Sequence, residues 1–179
     1  MENEKATIIL GVTGGIAVYK AADLCSKLSQ KYNVLVAMTA NARKLISDRI
    51  FMTLTGNPVL TDLFETASCR PAHVDWAQRA KLMIVAPCTA NFAAKLTHGI
   101  ADDALSTTAL AFRKTILLAT AMNTAMLESP AYQDNIRILK ERGVRFLEPA
   151  EGHLACGTGK GRMREPAEIM EEVERLMAE

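Results

Sequence analysis

The apolar run at residues 82–86 (LMIVA) places the tightest constraint on how this chain can fold. All five side chains are apolar, so the run lacks the polar alternation that a half-exposed strand shows. Such a strand has to be buried on both faces, as the central strands of a parallel sheet are. Pro87 and the small or polar residues Cys88, Thr89 and Asn91 follow, and they predict a tight loop that leads into a helix.

The same order of buried strand, polar loop and helix recurs along the chain. Further strands are predicted at residues 7–12, 33–39, 115–119 and 144–147. Strands and helices that alternate about five times predict a doubly wound parallel sheet. We therefore expect an α/β fold, a Rossmann-like or flavodoxin-like three-layer sandwich. With 179 residues, 49% of them hydrophobic, the chain fits a single domain over residues 1–179.

The composition argues against several classes of partner. Lys and Arg number 21 against 20 for Asp and Glu, a formal charge of +1 that gives no basic excess for binding nucleic acid. The first residues, MENEKATIILGV, fit neither a signal peptide nor a membrane span. Four scattered cysteines favour free thiols over disulfides. We therefore expect a cytoplasmic protein that binds neither nucleic acid nor membranes.

A glycine-bearing turn at residues 11–20 (GVTGGIAVYK) joins the first strand to a helix. Gly14 and Gly15 would let the backbone approach a ligand, and the free amides at the start of the helix attract an anion. The spacing differs from the G-x-G-x-x-G fingerprint, and glycines also serve to pack a helix on its strand. Both interpretations stay open at this point.

Polar residues follow three other predicted strands. Thr39 either binds phosphate or caps a short helix near residues 42–46, and Thr89 has the same two interpretations. Asn91 and Asn123 also lie at strand exits. Because the carboxyl ends of parallel strands meet at one edge of the sheet, these loops favour a mononucleotide-type ligand there.

Two later segments carry candidate reactive groups. His73 opens a predicted short helix, where its imidazole either faces a pocket and exchanges protons or is structural. Residues 149–166 contain four glycines and no regular period, so we expect an irregular loop that acts as a lid or binding loop, with Cys156 in its middle. Asp102 is predicted to cap an earlier helix, and residues 167–177 to form a closing helix.

Four motifs, in order, resemble those of the flavin-containing cysteine decarboxylases, and most closely the phosphopantothenoylcysteine decarboxylases of coenzyme A synthesis. GVTGGIAVYK resembles the first glycine turn, APCTAN the Pro-Ala-Ser-Ala-Asn-Thr-type motif, TAMNTAM the Pro-x-Met-Asn-x-x-Met motif, and LACGTGKGRM the cysteine flap. The resemblance covers almost the whole chain. It implies FMN-dependent decarboxylation of 4'-phosphopantothenoylcysteine to 4'-phosphopantetheine, through thiol oxidation to a thioaldehyde, loss of carbon dioxide and re-reduction.

The resemblance also implies a role for individual residues. His73 matches the catalytic base, Cys156 the proton donor on the flap, and Asn123 the residue that binds the substrate carboxylate. Met126 completes the substrate-binding motif, and no metal is implied. FMN would be held by Gly14, Gly15, Ile16, Thr39, Thr89, Ala90, Asn91, Phe92 and Ala121.

The sequence departs from the family pattern at Cys88, Phe92, Thr120 and Leu127. The resemblance further implies a homo-oligomer with FMN at subunit contacts, either a trimer or a dodecamer built from trimers. In many bacteria this domain is fused to the ligase that makes its substrate. Because this chain ends with the decarboxylase, a separate phosphopantothenate-cysteine ligase is expected in the pathway.

Other functions remain as alternatives. Peptidyl-cysteine decarboxylases and flavin prenyltransferases share the fold and FMN. The pairs Cys69-x-x-x-His73 and His153-x-x-Cys156 have the spacing of zinc ligands. A nicotinamide-dependent oxidoreductase is less favoured, because this sequence lacks the fingerprint of that class. Lys160 and Arg162 are the candidates for holding the substrate phosphate, with solvent-facing charge as the alternative.

Overall fold

Six strands form the parallel sheet at the centre of the fold. The computed structural model describes residues 5–64, 71–154 and 157–179. The order across the sheet is 3-2-1-4-5-6, so the chain starts in the middle and winds outward in both directions, as predicted. The strands are β1 (Thr7–Val12), β2 (Asn33–Met38), β3 (Val59–Leu60), β4 (Leu82–Cys88), β5 (Thr115–Thr120) and β6 (Arg145–Leu147).

Helices cover both faces of this sheet. Within the described ranges, none is long and apolar enough to cross a bilayer. The helices are α1 (Tyr19–Lys31), α2 (Ala40–Arg43), α3 (Asp48–Thr55), α4 (Ala72–Arg79), α5 (Ala90–His98), α6 (Ala104–Ala111), α7 (Thr124–Leu127), α8 (Pro130–Glu141) and α9 (Pro166–Ala178).

The side chains of β1 and β4 alternate between two apolar cores. Ile8 and Ile84 face one core, which α1, α3 and α9 cover. Ile9 and Met83 face the other, which α4, α5, α6 and α8 cover. Every residue of β4 is buried, because both faces of the strand carry helices. This arrangement confirms the three-layer sandwich that the apolar run at residues 82–86 predicted.

The start of α6 differs from the prediction. Asp103, not Asp102, caps this helix: its Oδ1 accepts a hydrogen bond from the Ser106 amide at 2.8 Å, and the Ser106 hydroxyl accepts one from the Asp103 amide at 3.1 Å. This reciprocal capping box requires residues three positions apart. Asp102 instead forms an ion pair with Lys95 at 2.6 Å.

The predicted irregular loop at residues 149–166 is largely a β-hairpin. Its strands are β7 (Ala150–Leu154) and β8 (Gly157–Arg162), which pair antiparallel, and Cys156 lies outside the described residues. Glycine occupies every second position of β8 between residues 157 and 161. One face of the strand therefore carries no side chains, and the alternation by which a strand is predicted from sequence is missing.

Candidate active site

A cavity of about 510 Å³ opens among the loops that follow β1, β4 and β5. Its volume lies in the range of cavities that bury a small ligand or cofactor, and its position is that at which open α/β sheets bind ligands. The lining consists of Gly14, Gly15, Ile16, Ala17, Tyr19, Lys20, Thr89, Ala90, Ala121, Met122, Asn123, Met126, His153, Leu154, Gly161, Arg162 and Met163.

The glycine turn after β1 forms the first wall of the cavity. A Cβ atom on Gly14 would lie 2.5 Å from Cβ of Asn41, and one on Gly15 would lie 3.4 Å from Cγ2 of Thr89. Gly14 therefore has no room for a side chain. The first amides of the following helical segment have no intrahelical acceptor, so this turn can donate hydrogen bonds to an anion.

The Thr13 hydroxyl ties this turn to the loop after β4. Its Oγ1 donates to the Pro87 carbonyl at 2.7 Å and accepts from the Thr89 amide at 3.1 Å. Thr13 is only 1% exposed, so water does not compete for these bonds. Thr13 is not among the predicted site residues. Its one local signal is a hydroxyl-bearing residue between a buried strand and a glycine pair.

Asn123 presents donor groups to the cavity. It is the N-cap of α7, and its Oδ1 accepts from the Ala125 amide at 2.8 Å. This bond assigns the oxygen of the carboxamide and leaves the two N–H groups of Nδ2 as donors, with no acceptor for them among the described residues. A carboxylate accepts hydrogen bonds without donating any, so it is a suitable ligand for this group.

The hairpin is seated on the loop that carries Asn123. The Met122 amide donates to the Gly161 carbonyl at 3.1 Å, and the Thr124 hydroxyl donates to the Lys160 carbonyl at 2.7 Å. A Cβ atom on Gly161 would lie 1.9 Å from the Met122 carbonyl oxygen. Glycine is thus required for the close approach that brings residues 153–154 and 161–163 to the cavity.

The predicted site residues are partly brought together. Thr39 caps α2, accepting from the Ala42 amide at 3.3 Å, and is not among the lining residues. Asn91 is exposed, and the Phe92 side chain is buried in the core with 1% exposure. The roles of these three residues in ligand binding stay predictions. Eight predicted residues line the cavity: Gly14, Gly15, Ile16, Thr89, Ala90, Ala121, Asn123 and Met126.

His73 lies on α4 and does not line the cavity of its own chain. It is half-buried, and its Nδ1 is enclosed without a hydrogen-bond partner within the described part of the chain. Cys156, the predicted proton donor, lies outside the described residues, as Cys69 does. Neither predicted catalytic role is tested by the geometry.

The two cysteines that the structure describes are free and buried. Cys88 has 0% exposure and packs in the core between the sheet and α5, and burial raises the pKa of its thiol. Burial likewise raises the pKa of the Cys25 thiol to about 11. Because the thiolate is the reactive form, Cys88 contributes packing rather than chemistry to the loop that it begins.

Metal ligands are not clustered in the described ranges: no group of three or more His, Cys, Asp or Glu side chains there could hold an ion. The zinc hypothesis also requires Cys69 and Cys156. Both lie outside the described residues, so the geometry does not test this alternative.

Lys20 and Tyr19 line the cavity and were missed by the sequence analysis. Lys20 is 8% exposed, and its Nζ donates to the Met163 carbonyl at 3.2 Å and to Glu165 Oε1 at 2.8 Å. These partners are more than 140 positions away in the sequence. Local patterns therefore carried no signal for the position of this lysine.

The chain matches the family model described as Flavoprotein over residues 1–178. It is 47% identical over 175 residues to the coenzyme A biosynthesis bifunctional protein CoaBC of Bacillus subtilis, covering 96% of this chain and 43% of that protein. It is 42% identical to CoaBC of Mycobacterium tuberculosis, covering 90% and 39% respectively. The chain thus spans less than half the length of these relatives.

Solved structures share the fold. The FMN-dependent cysteine decarboxylase SpaF is 31% identical with a TM-score of 0.83, covering 96% of this chain and 97% of its own. The FMN binding protein AtHal3 is 25% identical with a TM-score of 0.85, and 96% of each chain is covered. A PPC decarboxylase variant complexed with pantothenoylaminoethenethiol has a TM-score of 0.90 at 24% identity, covering 98% of this chain and 100% of its own.

Replacing Thr13 by valine should destabilise the protein. Thr13→Val preserves the shape of the side chain but leaves the Pro87 carbonyl and the Thr89 amide without their buried partner. We expect a loss of about 1–3 kcal/mol in the free energy of unfolding, measured by denaturant titration. Thr13→Ser keeps the hydroxyl group and should lose less. Equal stability of the valine variant and the wild type would show that the hydroxyl does not join the two loops.

Replacing Gly161 by alanine should detach the hairpin from the loop that carries Asn123. Gly161 and Gly157 have similar backbone angles, φ of 137° and 130°, but a Cβ atom on Gly157 meets nothing within 4 Å. Gly157→Ala therefore controls for backbone strain. We expect amide hydrogen exchange in β8 to be faster by about tenfold or more in Gly161→Ala than in Gly157→Ala. Equal exchange would argue against this seating.

Proposed function

The chain belongs to the Flavoprotein family, and on that premise we propose that it is a carbon-carbon lyase, an FMN-dependent phosphopantothenoylcysteine decarboxylase of coenzyme A biosynthesis. One observation carries the proposal: residues from all four motifs of the resemblance surround a single cavity. The similarity to the CoaBC proteins and to the FMN-dependent decarboxylase SpaF supports it.

The proposal extends to the domain and its flap. Residues 1–179 would form one flavin-binding decarboxylase domain, with the substrate flap at about residues 149–166. The family match over residues 1–178 supports the first part, and the contribution of the hairpin to the cavity supports the second. The related CoaBC proteins are more than twice as long as their match to this chain. The expected separate ligase stays a prediction.

FMN fits the residues that line the cavity. The glycine turn and the first amides of α5 offer donors for its phosphate, and Gly14 and Gly15 both border the cavity. Ala90, Ala121 and Met122 offer apolar surface for a flat ring. FMN, when bound, supplies a reversible hydride acceptor, which is what oxidising the thiol and later reducing the product require.

Asn123 would orient the substrate carboxylate. Its Nδ2 donors are neutral, so they can hold the carboxylate in place. A cation would stabilise the carboxylate charge and so oppose its loss as carbon dioxide. The lining around it is mostly apolar, so a substrate that fills the cavity would displace water from the carboxylate. Cys156, between β7 and β8 in the sequence, would donate the final proton from the flap, and Met126 would contact the substrate.

His73 would act as the base from a neighbouring copy of the chain. In its own chain it does not line the cavity, whereas the resemblance implies FMN at subunit contacts. Ile16 and Tyr19 border the cavity with 67% and 66% of their surfaces exposed, and such apolar surface favours burial against another subunit. The proposed assembly is a trimer or a dodecamer of trimers, which light scattering of the purified protein would distinguish.

The purified protein should carry flavin absorbance and release carbon dioxide from phosphopantothenoylcysteine. The spectrum tests the cofactor, and the released carbon dioxide tests the reaction. Stoichiometric zinc without flavin would overturn the proposal in favour of the metal site. Turnover of a peptide ending in cysteine in place of the small substrate would identify the peptidyl-cysteine alternative.

Two variants should separate the proposed chemical steps. Cys156→Ser should retain FMN and stop before the final reduction, so that the decarboxylated intermediate accumulates and mass spectrometry detects it. His73→Asn should also retain FMN but fail earlier, with thiol oxidation slowed about 10²- to 10⁴-fold, as loss of a general base predicts. Normal product release by the serine variant, or full turnover by the asparagine variant, would remove that residue from the mechanism.

A further inference from the structure

The cavity carries more positive than negative charge. Lys20 and Arg162, here called the cationic pair, both line it, and no Asp or Glu of the described ranges does. One carboxylate, that of Glu165, serves both members of the pair: Oε1 lies 2.8 Å from Lys20 Nζ and 3.2 Å from Arg162 Nη1. Two cations share one anion, so the pair retains a net charge of about +1 next to a largely apolar lining.

Arg162 has a donor that no described residue accepts from. Its Nε is buried and has no hydrogen-bond partner among the described residues. Buried polar groups are nearly always paired in native proteins, so Arg162 keeps an unsatisfied N–H in a residue that lines the cavity. The planar guanidinium presents its N–H groups as a fork that matches the oxygen atoms of a phosphate.

The fold holds this guanidinium in position. Gly152 of β7 lies against it: a Cβ atom there would be 3.1 Å from Nε and 3.3 Å from Cδ of Arg162. Lys20 is fixed in turn, because it donates to the Met163 carbonyl at 3.2 Å as well as to Glu165. Residues from α1, β8 and the start of α9 thus preorganise the charge before a ligand binds.

The structure also distinguishes the two basic residues that the sequence offered. The Lys160 side chain is 63% exposed, pairs with Glu151 at 3.7 Å and is not among the lining residues. Lys160 therefore faces solvent, which was the alternative to phosphate binding for both residues. Arg162 is the one of the two that faces the cavity.

We propose that Arg162, supported by Lys20, binds the phosphate monoester of the substrate and makes the enzyme selective for phosphopantothenoylcysteine over unphosphorylated pantothenoylcysteine. This inference rests on the proposed function. FMN carries a phosphate monoester too, so the experiment has to separate the two sources. The glycine turn offers backbone amides for the cofactor, and the cationic pair is assigned to the substrate.

The test compares kcat/KM for the two substrates in the wild type and in Arg162→Gln, each loaded with FMN. Loss of a charge-assisted hydrogen bond to phosphate should lower kcat/KM for the phosphorylated substrate by about 10- to 100-fold, mainly through KM. The unphosphorylated substrate should be affected much less. Its turnover and the flavin spectrum also show that the variant is folded. Lys160→Gln, the matched control, should keep the selectivity of the wild type.

Glu165→Gln provides a test of opposite sign. It removes the negative charge that the pair shares while keeping an oxygen acceptor, so KM for the phosphorylated substrate should fall.

Two outcomes would overturn the inference. One is an equal loss of kcat/KM for both substrates in Arg162→Gln. The other is loss of FMN with unchanged selectivity, which would assign the pair to the cofactor. A wild type that turns over neither substrate would refute the proposed function and this inference with it.

Discussion

The cavity depends on a short series of hydrogen bonds that joins loops distant in the sequence. The Thr13 hydroxyl connects the turn after β1 to the loop after β4. The Ala121 amide donates to the Cys88 carbonyl and brings in the loop after β5, and the Met122 amide donates to Gly161 and brings in the hairpin. Four segments are therefore held at fixed separations at the sheet edge. This arrangement allows a site to be built from parts that have little regular structure of their own.

The centre of the fold could be predicted because burial there leaves a signal in the sequence. Residues 7–12 and 82–86 are apolar runs since both faces of β1 and β4 pack against helices. β3 has only two residues, too few to show a period. β8 was missed for a different reason: its alternate glycines leave space for the neighbouring loop, and a strand selected for close approach lacks the hydrophobic pattern of one selected for burial.

The site was predictable where it follows from topology. Gly14, Thr89 and Asn123 each follow a strand, and parallel strands bring their exits together. The partners of Lys20 could not be predicted in this way, since Glu165 lies 145 positions further along the chain. Nor could the sequence indicate whether the thiol of Cys88 faces the cavity or the core, because a one-residue change of register decides between them. The structure places it in the core, where burial keeps it protonated.

Decarboxylation sets opposite electrostatic requirements for the two anionic groups of the proposed substrate. The carboxylate has to lose its charge as carbon dioxide leaves, so a nearby cation would stabilise the ground state and oppose the reaction. The phosphate keeps its charge throughout, so a cation there strengthens binding of ground state and transition state alike. Asn123 offers neutral donors, whereas the cationic pair offers net charge and an N–H with no acceptor in the described part of the chain. Because Glu165 takes up part of that charge, the pair would bind the phosphate without extending a strong field to the carboxylate.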